Sequence, residues 1–258
     1  MTGSAVDSDQ WIRRYHSASA GDGTLPRLVC FPHAGGAATY FHEFSRRLQG
    51  TVDVLAVQYP GRQDRRTEPL PASLGELAER IATVLRPWTG APLAFFGHSM
   101  GALIAFEVAR RTRPGMLFAS GRRAPSTHRD ERVHLLDDDG LVAEATLLGG
   151  TDRRVLADPE MRELVLPVLR ADYRLLETHR PDPGAVIDVP IEVLYGDRDP
   201  KVTAEEARAW DAHTSRDCEV HVFPGGGHFY LADALDEVSE LVVRRWALTA
   251  AAPDADRR

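Results

Sequence analysis

The stretch "FFGHSMGALIAFE" (residues 95–107) sets a serine between two glycines, directly after one apolar run and directly before another. Two readings compete. The segment is either plain buried core that contains small residues, or a bend that holds Ser99 out for chemistry. The wider run from Pro87 to Phe106 carries no Asp, Glu, Lys or Arg for 20 residues, nominally the length of a membrane span. Yet it contains Pro87, Gly90, Pro92, Gly97, His98, Ser99 and Gly101, a load that a lipid-exposed helix would carry poorly. It reads instead as a buried strand, a tight turn and a buried helix.

The rest of the chain continues that alternation. Short β-like runs at 27–31, 52–57, 93–97, 116–120, 191–196 and 218–223 are separated by helical stretches near 38–48, 73–87, 100–112, 203–213 and 230–247. Several strand candidates are nearly continuous apolar runs, as parallel strands covered by helices on both faces require. One connection breaks the rhythm. From Gly121 to Asp188 there are 68 residues before the next strand, far more than a crossover needs. Within it "LLDDDGLVAEATLLGG" and "MRELVLPVLRADYRLLETH" have helical period, and Leu164, Val165, Val168, Leu169, Leu175 and Leu176 suggest a broad apolar face. The expectation is a mostly parallel, doubly wound α/β core over 1–120 and 189–248. A helical lid is inserted at 121–188, and a disordered tail follows at 249–258.

Composition narrows the function. The 258 residues carry a net charge of −7, which argues against a general nucleic-acid binder. Cys30 and Cys218 lie far apart in or beside strand-like runs, so buried thiols in a reducing cytosol are expected rather than a disulfide. The amino terminus "MTGSAVDSDQWIRRYHSA" lacks an apolar core of signal-peptide length. A cytoplasmic monomer with no membrane attachment, no metal and no cofactor is the expectation.

Gly97-His98-Ser99-Met100-Gly101 follows a strand and opens a helix, the setting that a G-x-S-x-G nucleophile elbow needs. A tight strand-to-helix turn strains the serine backbone, and the residues two before and two after it must be small because helix and strand meet there. A serine hydroxyl is a poor nucleophile without a base to take its proton. His228, in the glycine-rich loop "FPGGGHFYL" after the last strand, is the best placed of ten histidines. "YGDRDPKV" (195–202) offers Asp197 and Asp199 to orient that imidazole. Asp199 lies further past the strand and is preferred, while Asp197 reads as a turn-stabilising residue. The order Ser99, Asp199, His228 is that of an α/β-hydrolase fold. An oxyanion hole would combine the backbone N–H of Met100 with one from "FPHAGG" (31–36), Ala34 first and His33 as the alternative. Each such donor lowers the barrier by about 3 kcal/mol.

With those residues placed, the chain resembles the type II thioesterases, the free-standing editing enzymes of polyketide and nonribosomal peptide synthesis. The resemblance covers residues 26–248 and rests on "CFPHAGG", "VQYPGRQDR", "FFGHSMGALIAFEVAR", "ASGRRAP", "LPVLRADYRLLETH", "YGDRDPKV" and "FPGGGHFYL". It implies hydrolysis of stalled or aberrant acyl groups from the phosphopantetheine arm of acyl or peptidyl carrier proteins, which would bind transiently. Such partners are usually acidic, so Arg62, Arg65, Arg66, Arg122 and Arg123, all following strand ends, are candidates to rim the site and dock them. A general carboxylesterase or acyltransferase stays open as an alternative, as does a non-catalytic hydrolase-like binding protein. A cyclising domain of a larger synthase is less expected, because no carrier domain or linker is seen before these motifs.

Overall fold

In "RLVCF" Val29 and Phe31 face one side of the sheet and Leu28 and Cys30 the other, and all four are fully buried. That two-sided burial is what the continuous apolar runs demand. The computed structural model describes residues 8–16, 25–150 and 156–251. Among the described residues the sheet has seven strands: β1 (Ile12–Arg13), β2 (Arg27–Phe31), β3 (Asp53–Val57), β4 (Leu93–His98), β5 (Met116–Ser120), β6 (Ile191–Gly196) and β7 (Cys218–Phe223). Their order is β1-β3-β2-β4-β5-β6-β7, parallel throughout except for β1, which runs antiparallel to β3. The two-residue β1 is too short to leave a periodic signal in the sequence. Strand order reverses on either side of β2, so the carboxyl ends of β2 and β4 flank the crevice where ligands of such sheets bind.

The helices are α1 (Ser8–Trp11), α2 (His42–Arg47), α3 (Leu74–Leu85), α4 (Met100–Thr112), α5 (Asp138–Leu148), α6 (Pro159–Thr178), α7 (Ala204–Arg208) and α8 (Leu235–Val242). Ser73 starts α3 by accepting a hydrogen bond from the Glu76 N–H at 3.1 Å, and Leu74, Leu77, Ala78, Ile81 and Leu85 form its buried stripe. That stripe and most of α4 cover one face of the sheet, while α8 and Trp246 cover the other. A last helical turn, Leu248–Ala251, carries structure into the segment expected to be a tail, and 252–258 lie outside the described residues.

Between β5 and β6 come α5 and α6, in the insertion expected at 121–188. Val133, Leu141, Ala145, Leu156, Leu166, Leu169 and Tyr173 make a small core of their own, while Leu175 and Leu176 join the main one. The apolar face of α6 differs from the expectation in one respect. Leu164 is 62% exposed, and Leu166 occupies the buried position, because the stripe of Leu166, Leu169, Tyr173 and Leu176 follows the true helical period.

The turn from β4 into α4 is the tightest point of the fold. A Cβ on Gly101 would lie 1.9 Å from the carbonyl oxygen of Phe31, and one on Gly97 would lie 2.3 Å from that of Gly101. Both obstacles are backbone, which cannot swing aside. Gly101→Ala is therefore expected to lower unfolding stability by about 3 kcal/mol or more. Gly90→Ala, at a position with open space around it, is expected to change stability by less than about 1 kcal/mol. Urea denaturation of the two variants beside the parent protein measures both.

Candidate active site

Crowding at Gly97 and Gly101 forces the residue between them into an unusual backbone. Ser99 has φ 55° and ψ −115°, a conformation that costs a non-glycine residue about 1–3 kcal/mol. Its N–H donates to the Ser120 carbonyl at 2.8 Å, which ties the bend to β5. The side chain stands at the amino end of the 13-residue α4, where the helix dipole favours developing negative charge.

The loops after β6 and β7 meet at this point. Gly196 touches the Gly226 backbone so closely that a Cβ would lie 2.2 Å from its carbonyl oxygen, and Arg198 N–H donates to the same oxygen at 2.9 Å. Asp197 accepts from Gly225 N–H at 2.7 Å, the turn-stabilising role expected of it. With both loops so fixed, His228 Nε2 lies 2.9 Å from Ser99 Oγ, and His228 Nδ1 lies 2.9 Å from Asp199 Oδ2. Asp199 also accepts from Lys201 N–H at 2.8 Å. His228 and Asp199 are 3% and 6% exposed, so their bond is shielded from competing water. The three residues read from the sequence form one hydrogen-bonded relay.

Ala34 lines both cavities that contain Ser99, of about 60 and 30 Å³. Among the described residues the N–H groups of Ala34 and Met100 donate to no protein acceptor, a condition that an oxyanion hole requires. The loop that carries Ala34 is held from three sides. Tyr59 hydroxyl donates to Pro32 O at 3.1 Å, Arg62 Nε donates to Gly36 O at 3.3 Å, and Gly35 N–H donates to Asp172 Oδ2 at 2.7 Å. Arg62 and Asp172 also form an ion pair, both buried.

Asp172 is the site residue that the sequence reading missed. It lies on α6, inside a run read for its apolar period and for the family resemblance but not for this carboxylate, and an acid at a core-facing position was the available signal.

The arginines expected to rim the site divide. Arg62 and Arg65 are 5% and 3% exposed. The first is spent on Asp172, the second on Glu68 and on the face of Trp11, 4.0 Å from its ring centroid. Arg123 is 5% exposed and pairs with Glu131. These three are internal counterions rather than docking surface, because the loops after β3 and β5 fold inward over acidic partners. Arg66 is exposed, and Arg122 is partly buried in the cavity wall.

A second expectation concerned metals. Among the described residues, Glu192, Glu219 and His221 approach one another closely enough to ligate, but Arg245 already bridges both acids at 2.6 and 3.0 Å. That grouping lies between β6 and β7, on the strands themselves rather than at the loop that carries His228.

Beneath the relay sits a cluster of rings. His98 is fully buried, its Nδ1 3.0 Å from Ser120 Oγ, which in turn is 2.6 Å from the Tyr230 hydroxyl. His33 packs edge-on against Tyr40 and Phe229 with centroids 4.6 and 4.7 Å away. Burial, then the charges of His228 and Arg62, push the His33 pKa down to about 3; burial chiefly pushes His98 well below its usual value. Both are therefore neutral in the fold but take a proton on unfolding below pH 6.5. Stability is fully present above that pH and falls as pH drops through it, by about 1.4 kcal/mol per unit for each histidine. His33→Phe, which keeps the ring contacts, is expected to flatten the slope of unfolding free energy between pH 6.5 and 5 by that amount. Chemical denaturation at a series of pH values reads it.

The comparisons with known proteins agree with this geometry. A family described as the thioesterase domain matches residues 26–245. Thioesterase PikA5 of Streptomyces venezuelae is 48% identical over 257 residues, covering 97% of this chain and 90% of the relative. The gramicidin S biosynthesis protein GrsT of Aneurinibacillus migulanus is 37% identical over 232 residues, 87% of this chain and 90% of that protein. Among solved structures, the type II thioesterase BorB from the borrelidin biosynthetic cluster has a TM-score of 0.84 at 46% identity, covering 92% of this chain and 97% of the other. The α/β-hydrolase core is shared with it, and no helix among the described residues is long and apolar enough to cross a membrane. This chain belongs to the thioesterase family, in the type II branch to which its motifs pointed.

Proposed function

We propose that this enzyme hydrolyses acyl thioesters on the phosphopantetheine arm of carrier proteins, through an acyl group held on Ser99. The observation that carries the reading is the unbroken relay from Asp199 through His228 to Ser99 at the wall of a small cavity. Ser99 Oγ attacks the thioester carbonyl while its proton passes to His228 Nε2. Asp199 holds the Nδ1 proton, fixes the tautomer and stabilises the imidazolium. The carbonyl oxygen gains charge between the N–H groups of Met100 and Ala34. The C–S bond then breaks, its electron pair leaves with sulfur, and the proton on His228 goes to the thiolate. Water next attacks the acyl-serine and gives its proton to His228. The C–O bond to Ser99 breaks, Oγ recovers that proton, and the free acid departs.

A thiol of pKa about 8.5 leaves with little help, so the relay suits thioesters, although it has no chemical bar to oxoesters. The larger cavity, about 60 Å³, holds about four water-sized groups. It therefore suits the short acyl groups that a stalled or mis-primed assembly line would carry. The insertion between β5 and β6 acts as the lid over this chamber. A carrier domain is the transient partner, and Arg66 is the arginine of the expected docking set that stands free for it.

Release rates from a panel of carrier proteins loaded with acetyl, propionyl and longer chains test the proposal, with intact-protein mass spectrometry to trap acyl-Ser99. Short loaded carriers are expected to outpace aryl esters, and Ser99→Ala to reduce kcat/KM by about 10⁴-fold or more. Preference for aryl esters, with no release from carriers, would overturn it. Asp172→Ala is expected to lower kcat by about 10²-fold with little change in KM, because it removes the acceptor of the Gly35 N–H and lets the oxyanion loop drift. Steady-state kinetics on one short thioester, beside a thermal melt, separates that effect from simple loss of fold.

A further inference from the structure

Arg122 is the surplus charge in a neighbourhood otherwise paired. The larger cavity is lined at once by Ser99 and His228 and by Arg122, Arg123, Glu131 and Lys201. The acids around it are all engaged. Glu131 accepts from Arg123 and from Lys201, and Glu144 pairs with Lys201. Glu206 holds Arg129 through two bonds of 2.6 and 2.7 Å, and Glu177 is occupied by His134 and by the N–H of Val133. The guanidinium of Arg122 has no hydrogen-bond or ion-pair partner among the described residues. Only its backbone is tied down, the carbonyl accepting from Trp210 Nε1 at 2.8 Å.

Arg123 beside it is 5% exposed and spends one nitrogen on Glu131, while its buried Nε and Nη1 lack partners. Two adjacent guanidinium groups thus stand in the wall of a cavity that also contains the relay, Arg122 with its donors unspent and Arg123 as a buried charge beside it. Buried cationic donors are costly without an acceptor, and their fixed fork matches the paired oxygens of a carboxylate or phosphate. Desolvation first, then the charge of Arg123, brings the Arg122 pKa down to about 9, the mark of a cation short of an anion. The smaller cavity offers a contrast. It is lined by Ala145, Leu148, Leu169 and Phe229 around the same Ser99, with no Arg, Lys, Asp or Glu among its described lining residues.

We infer that Arg122, supported by the charge of Arg123 beside it, forms an anion-binding subsite of the substrate cavity, which takes an anionic group carried by the substrate itself. That group is either the phosphate of the pantetheine arm or a carboxylate on the acyl chain. The inference rests on the thioesterase reading of Ser99, and its test keeps the two apart.

Three thioesters serve as probes: S-propionyl-pantetheine, S-propionyl-4′-phosphopantetheine and S-malonyl-pantetheine. The first is neutral, the second adds a phosphate, and the third replaces a methyl by a carboxylate. In the parent enzyme at least one anionic probe is expected to exceed the neutral one in kcat/KM by about tenfold or more. Arg122→Gln should collapse that ratio, and Arg122→Lys should keep part of it. Preference for the phosphate assigns the subsite to the arm, and preference for malonyl assigns it to the acyl end. Equal values for all three probes, or a preference that survives Arg122→Gln, would overturn the inference. If the parent hydrolyses none of them, the thioesterase reading is what fails. Calorimetric affinities of the same compounds for Ser99→Ala, with and without Arg122→Gln, then decide the subsite by the same ratios.

Discussion

Everything at this site depends on how closely α4 is pressed against the loop leaving β2. The space left for a side chain at Gly101 is negative: a Cβ would penetrate the Phe31 carbonyl. Because the helix starts that near the sheet, the chain has no room to leave β4 gradually, and Ser99 must take up the turn with a positive φ. The strain is sustained by its surroundings. Both faces of β4 are buried, Phe95 on one side and Phe96 on the other, so relaxing the bend would open the core. The same approach brings the start of α4 beside the loop that leads to Ala34, so the proposed nucleophile and the two proposed donors follow from one steric fact.

The ring cluster below the relay answers a second requirement. In the proposed mechanism His228 becomes a cation, and its ring centroid is 5.4 Å from that of His98. Two unit charges at that separation repel by about 3 kcal/mol at an effective dielectric of 20. A protonated His98 would oppose each proton transfer by that amount. Burial keeps His98 and His33 neutral, so the aromatic packing does electrostatic work as well as filling space.

Much of this was legible in the sequence, for a physical reason. Strand period, glycine spacing and the order Ser99, Asp199, His228 are local features, and each loop inherits its place from the strand before it. Five of the six expected strand cores begin at the residue observed, and the sixth differs by one residue, Asp53 in place of Val52. What failed was the pairing of charged side chains, which no motif marks. Arg62 and Asp172 are separated by 110 positions, and neither motif announces the other. Arg65 and Arg123 looked like surface because arginine usually is, and only the fold reveals acids turned toward them. Leu164 misled differently: Leu169, Leu175 and Leu176 are buried as expected, but at the start of the stripe Leu166 takes the buried position and Leu164 is left exposed.

The Arg62–Asp172 pair also constrains how the insertion can move. Both partners are buried, and separating them would leave two uncompensated charges, a cost of about 3–5 kcal/mol. The carboxylate simultaneously holds Gly35, the residue after Ala34, so lifting α6 away from the core would free the loop of the proposed oxyanion donor. Downstream of Asp172, Leu175 and Leu176 bind the same helix into the main core. α6 is thus part of the catalytic frame although it belongs to the inserted segment. α5 is held less deeply: its Glu144 pairs with Lys201, but its apolar residues pack within the small separate cluster and Leu147 is exposed to solvent. Of the two helices of the insertion, α6 is therefore the one tied to the loop that carries Ala34, and any opening of the proposed lid would cost least at α5.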